Sequence, residues 1–176
     1  MRFPPRKLVP PFLGDKNRKN TGMESLQASN MRASFEQLKY AEALLIANQS
    51  ADNDAILAVT CNNLGCYYKR CGKMHAALSY LRRALSLEVA VGAEKITIAG
   101  THLNICAILS RLEKHDKAIE HAFCALHLVK SVAEDGRLLS EDVMCTLVVA
   151  HHNVAVEREF LQQWDQAAMA HKQGHE

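Results

Sequence analysis

Cys61, Cys66 and Cys71 recur every five residues, and His171 and His175 stand four apart. Thiolates and imidazoles are the side chains that hold soft and borderline metals, so their spacing decides whether they act together. On a helix a step of five rotates each side chain by about 140° from the last, so the three cysteines cannot converge on one ion. They read as small packing residues. His171 and His175 share a helix face, but no third ligand accompanies them. The six cysteines in all (61, 66, 71, 106, 124 and 145) lack the paired spacings of a metal knuckle, and with no signal peptide ahead of them the expected compartment is reducing and cytoplasmic. His151-His152 has no serine or cysteine placed by spacing as a nucleophile, so one ring is expected to pack and the other to face the groove described below. Gly65 to Gly72-Lys73 has too many residues between its glycines for a phosphate loop and lies across a helix. The chain is therefore expected to be no enzyme, with no metal and no cofactor.

The residues that do recur in register are asparagines. Cys61-Asn62-Asn63-Leu64-Gly65-Cys66-Tyr67-Tyr68, followed by Ala77, Leu81 and Ala84, aligns with His102-Leu103-Asn104-Ile105-Cys106-Ala107-Ile108-Leu109, followed by Ala118, Ala122 and Ala125, at an offset of 41. A third copy, a further 49 on, reads His151-His152-Asn153-Val154-Ala155, then Ala167, His171 and Gly174. Apolar spacing and breakers place helices over about 32–48, 54–71, 74–91, 96–112, 116–133, 141–161 and 164–175, with Gly72, Gly92 and Gly136 at breaks and Ser140 as a helix cap. All four prolines lie at or before Pro11, so none interrupts a helix beyond that point.

Leu64, Gly65, Tyr68, Ala77, Leu81 and Ala84 fall on the signature positions of the tetratricopeptide repeat, which the chain resembles from about Phe35 onward. The second copy keeps Ala118 and Ala125, and the third is the weakest, with Arg158 in place of the tyrosine. Ala58, Thr60, Asn63 and Leu64, then Ala99, Thr101, Asn104 and Ile105, together with the 41-residue period, resemble the longer repeat of the kinesin light chain type. This likeness implies an all-α fold: a right-handed α-α superhelix of about three repeats at 32–176. That array opens with a leading half repeat, in which Ala43 stands where Ala84 stands in the next unit, and is preceded by an extended, basic, proline-containing arm at 1–31.

The likeness also implies that the first helix of each repeat lines a concave groove. That places Asn62, Asn63, Cys66, Lys69 and Arg70, then Leu103, Asn104, Ala107, Ser110 and Arg111, then His152, Asn153, Val156, Glu159 and Phe160 on the partner-binding face. An asparagine offers both a donor and an acceptor, so a row of them can pair with the backbone of an extended peptide. Lys69, Arg70 and Arg111 favour acidic groups, while Leu103, Val156 and Phe160 offer an apolar anchor. Equally, the asparagines can bond to one another and simply fix repeat spacing.

The first twenty residues carry six basic side chains against Asp15, a net of +5, which leaves −3 for the rest of a chain whose total is +2. A mildly acidic body lacks the basic face of a nucleic-acid binder, so nucleic acid is expected only through the arm. Within the arm, Arg2, Phe3, Arg6, Lys7 and Phe12 are the candidate contacts, and their charge suits an acidic surface. No apolar run is long enough to cross a membrane. Two readings follow. One is an adaptor that holds an extended acidic segment of a protein partner in its groove. The other is a structural subunit of a large assembly, cytoskeletal or ciliary, anchored by the arm and by a last helix with no polar cap.

Overall fold

The computed structural model describes residues 16–48, 50–133 and 140–174. Among them are seven helices and no strand: α1 (Lys16–Ala47), α2 (Ala51–Arg70), α3 (Met74–Ala90), α4 (Lys95–Arg111), α5 (His115–Ala133), α6 (Glu141–Phe160) and α7 (Trp164–Gln173). Local chemistry sets their ends. The hydroxyls of Ser50 and Ser140 accept from the amides of Asn53 and Val143, capping α2 and α6, and acidic residues occupy the first turn of both helices. The tight turn between α2 and α3 places Gly72 at φ +74°, and the corresponding turns after α4 and α6 place Glu113 at +57° and Gln162 at +59°. Those three positions keep the 41- and 49-residue offsets, so the left-handed turn is part of the repeat. Only the first copy fills it with the residue that adopts it without a steric cost.

The chain divides after Glu36 into two compact units. In the first, the described residues are helical from Lys16, and Arg32 and Glu36 form an exposed ion pair one turn apart. Residues 16–31, expected in an extended arm, are thus helical. No proline follows Pro11 to stop a helix, and the later start was drawn where apolar periodicity begins, a signal this polar stretch lacks. Arg2, Phe3, Arg6, Lys7 and Phe12 lie outside the described residues.

In the second unit the helices pair as α2 with α3, α4 with α5 and α6 with α7. α2 also touches α4, α4 touches α6, and α3–α4 and α5–α6 contacts join the pairs, whereas among the described residues α3, α5 and α7 make no contact with one another. The first helices therefore form one row in the order α2, α4, α6, and the second helices lie outside it. Gly65 is where α2 meets α3: a Cβ there would stand 2.6 Å from Leu81 Cγ and 3.3 Å from the Ala77 carbonyl oxygen. Along the array Leu64, Leu81, Ile105, Ile108, Leu109, Val129 and Val154 are fully buried, each side chain contributing about 1.5–3 kcal/mol of hydrophobic stabilisation. Repeating alanines at 77, 84, 118, 122, 125, 155 and 167 are buried as well, which lets the helices approach closely.

The front of this unit departs from the expected register. Ala43 is exposed, and its neighbour Glu42 is buried instead. Glu42 accepts from Lys39 Nζ at 2.5 Å, Arg83 Nη1 at 2.9 Å and Tyr80 Oη at 3.3 Å. The Glu42 carboxylate and the Tyr80 hydroxyl hold the Lys39 ammonium well above the ordinary lysine range. Leu45 packs against the small cluster of Leu57, Cys61 and Ala84. Counting back from Ala84 missed this because the end of α1 is tied to α3 mainly by a charged network, which a search for small residues does not find.

Candidate protein-interaction groove

The layer of α2, α4 and α6 sorts the expected groove residues into two sets. Asn62 and Asn104 are half-buried and join a chain of side-chain hydrogen bonds. Lys69 Nζ donates to Asn104 Oδ1 (3.3 Å), and Asn104 Nδ2 to Asn62 Oδ1 (3.4 Å). Asn62 Nδ2 then donates to Thr101 Oγ1 (2.6 Å), which donates to Glu88 Oε1 (2.8 Å). Every donor points toward the carboxyl of Glu88, which is 2% exposed and whose second oxygen has no partner among the described residues. Burial pushes the Glu88 carboxyl above its ordinary range, with the Thr101 and Asn62 hydrogen bonds acting the other way.

Asn63, Arg70, Arg111 and His152, in contrast, are exposed, and Asn153 is half-buried. Asn63 and Asn153 make no side-chain hydrogen bond, and Arg70 and Arg111 no ion pair, to other described residues. The His152 ring lies 5.9 Å from that of His171, which in turn sits 3.1 Å from Glu159 Oε1. The recurrent asparagines thus differ in their surroundings: Asn104 is held by its neighbours, while Asn63 and Asn153 present open amides. Leu103, expected as an apolar anchor, is 9% exposed and belongs to the core. The helical phase that brings Asn104 to the groove turns Leu103 inward by about 100°. Phe160 is 60% exposed and stacks on His115 with ring centroids 4.2 Å apart.

The cysteines, expected as packing residues at 61, 66 and 71, divide: Cys66 is half-buried, and Cys71, at the end of α2 where the chain turns toward α3, is exposed, as are Cys124 and Cys145. Cys61 and Cys106 are buried, and burial pushes the Cys106 thiol up to about 12 and the Cys61 thiol in the same direction. His151 is buried, with its Nδ1 unpaired, while His152 is exposed, as the dipeptide led one to expect. His102 and His121 meet Nδ1 to Nδ1 at 2.9 Å across α4 and α5. Burial first, and then the neighbouring His121, takes His102 down to about 4; burial and Arg82 lower His121. Two neutral rings sharing one N–H···N bond satisfy this geometry. Glu157, 2% exposed, accepts from His115 Nδ1 at 2.7 Å. Among the described residues no three acidic, histidine or cysteine side chains are placed to hold a metal ion.

Sequence reading did not anticipate the Thr101–Glu88 pair or the partnering of Asn62. The signal for both was available in the recurrence of threonine at 60 and 101, because Thr60 is also buried and bonds to the Ile56 carbonyl at 2.9 Å. In the first copy that hydroxyl closes on its own helix; in the second it reaches across to α3.

Residues 58–88, which run from the second turn of α2 to near the end of α3, match the Tetratricopeptide repeat family. No curated protein matches the chain. The helix-pair architecture and the matched repeat together make the fold an all-α tetratricopeptide-type solenoid. Among the described residues no helix is long and apolar enough to cross a membrane.

Proposed function

We propose that the chain is a non-catalytic scaffold that holds an extended acidic segment of a partner protein against α2, α4 and α6. A tetratricopeptide repeat supports protein–protein interaction in general. The observation that carries the finer reading is the set of open polar groups along that layer. The amides of Asn63 and Asn153 and the guanidinium groups of Arg70 and Arg111 are unengaged by other described residues and recur at the repeat offsets. Amides in a row pair with a peptide backbone, and guanidinium groups pair with carboxylates.

The geometry dictates how this is tested. Asn104 also supports Asn62 and Lys69, so replacing it confounds binding with stability. Asn63→Ala/Asn153→Ala and Arg70→Glu/Arg111→Glu leave the hydrogen-bond chain intact. Affinity capture followed by mass spectrometry should show partners retained by the native chain and lost by both double variants at unchanged helicity. Partners that survive both substitutions refute the groove reading.

A second reading, a structural subunit of a larger assembly, draws on the exposure of Trp164 (63%) and Met169 (60%) on α7. The resemblance to the kinesin light chain repeat points such an assembly toward the cytoskeleton or a cilium. Under it, partners would be lost on Trp164→Ser/Met169→Ser, or on substitution of Arg2, Phe3, Arg6, Lys7 and Phe12, with indifference to Asn63 and Asn153.

A further inference from the structure

Gly65 and Gly100 both lie inside helices, and the structure explains only the first. At Gly65 a Cβ would collide with Leu81, whereas at Gly100 a Cβ meets none of the described residues within 4 Å. Glycine inside a helix is destabilising relative to alanine, and at Gly100 no packing requirement within the described fold offsets that cost. What the missing side chain leaves is bare helix backbone that something from outside can approach closely.

The register identifies what flanks it. The bonds from Asn62 to Thr101 and Asn104 make α2 and α4 parallel neighbours. The 41-residue offset then sets Val59 of α2 beside Gly100, and the 49-residue offset sets Val149 of α6 on the other side. Both valines are exposed, at 56% and 46%. Toward the C-terminal ends of α2 and α4, eleven residues further on, stand Arg70 and Arg111. That is about 16 Å along the helix axis, which an extended chain covers in roughly five residues. At the opposite ends the exposed residues are mostly acidic, Asp52, Glu94, Glu141 and Asp142 against Lys95. The layer is therefore graded, acidic at one edge, apolar around Gly100 and basic on α2 and α4 at the other edge, where α6 presents Glu159.

We propose that Gly100, between Val59 and Val149, seats one bulky apolar side chain of an extended partner segment whose acidic residues, about five positions away, meet Arg70 and Arg111. This rests on the groove reading above and adds to it the anchor, its spacing and its direction. Charge complementarity to Arg70 and Arg111 selects an acidic partner segment, which residues 1–15 of the chain itself, with Asp15 against Arg2, Arg6 and Lys7, do not supply.

The probe is a set of fluorescein-labelled dodecapeptides with a Glu-Asp pair and a single Trp in a Gly/Ser background. The two are separated by two, five or eight residues, and a control carries Ala for Trp. Fluorescence anisotropy with the full chain should show the five-residue peptide binding at least tenfold more tightly than its Ala control and than the other spacings. Gly100→Val, which fills open space, should weaken that peptide tenfold or more without loss of helicity, and Arg111→Glu should weaken it too. If Arg111→Glu weakens binding while Gly100→Val or Ala-for-Trp does not, the anchor is overturned and the groove reading stands. If no peptide binds the native chain, or neither variant matters, both are overturned. The anchor proposal also fails if a native dimer is dispersed by Gly100→Val in sedimentation, or if Phe3→Ser/Leu8→Ser/Phe12→Ser tightens peptide binding. In those cases the occupant is a second copy or the chain's own arm.

Discussion

Replacing glycine by alanine at positions 65 and 100 should shift stability in opposite directions. Both residues sit inside helices, so the gain in helix propensity is the same, up to about 1 kcal/mol. At position 100 nothing opposes it, because the new methyl group enters open space. Gly100→Ala should therefore stabilise the fold by about 0.5–1 kcal/mol, which for a chain of this size raises Tm by roughly 1–4 °C. At position 65 the methyl would lie 2.6 Å from Leu81 Cγ, about 1 Å inside the optimum carbon–carbon separation. Leu81 is fully buried, and the atom met is the branch point of its side chain rather than a free end. Overpacking of that kind costs about 1–3 kcal/mol or more, so after the propensity gain Gly65→Ala should lose about 1–2 kcal/mol. Thermal and urea unfolding followed by circular dichroism at 222 nm measures both. Shifts of the same sign, or a Gly100→Ala variant less stable than the native chain, would refute the contrast between a packed crossing and an open face.

Acid should weaken the pairing of α4 with α5. His102 and His121 titrate below the ordinary 6.5, His102 at about 4. The unfolded chain therefore binds more protons than the native one across that window. Their contribution is complete above pH 6.5 and is lost as pH falls toward 4, with a ceiling of about 3 kcal/mol for His102. Urea midpoints at pH 7 and 4.5 should converge in His102→Gln/His121→Gln relative to the native chain, and an unchanged difference between the two pH values would exclude the pair as the cause. Thr101→Val removes the hydroxyl between Asn62 and Glu88 and should cost about 1–3 kcal/mol in urea unfolding, whereas Thr101→Ser should recover most of it. Glu42→Ala strands Lys39, Arg83 and Tyr80, and because the two cations are over a third exposed the loss should stay near 1–2 kcal/mol. Amide exchange in the second half of α1 should accelerate in that variant, and unaltered protection would show that the network does not hold the helix.

Six of the seven helices were legible from periodicity and breakers, because in this fold a helix pair must bury alanine and leucine at fixed steps. Gly72, Ala77, Leu81 and Ser140 announce their roles by residue type. The missed start of α1 has the opposite cause: residues 16–31 are helical without an apolar face, so the pattern that marks the other helices is absent. The groove was legible as a face but not in its detail. Asn62 and Asn63 are indistinguishable as a dipeptide, and only the angular step between them decides that one ties α2 to α4 while the other stays open. Leu103 failed for the same reason, since a residue beside a groove position can point into the core. Glu42 and Glu88 were invisible because burial of a carboxylate depends on partners supplied by another helix.

The chain of donors from Lys69 to Glu88 crosses α2, α3 and α4 and so runs through two repeats. The helix pair is therefore not the unit that melts. α2 through α5 should open as one cooperative block, with the third repeat joined to the second through the shared core of Val143, Ala150, Val154 and Ala155 and through the contact of His115 with Glu157. The same fact governs any attempt to lengthen the array. A copied repeat carries its alanines and its turn with it, but it keeps this polar tie only if the splice also reproduces the asparagine of one unit, the buried glutamate at its end and the threonine of the next.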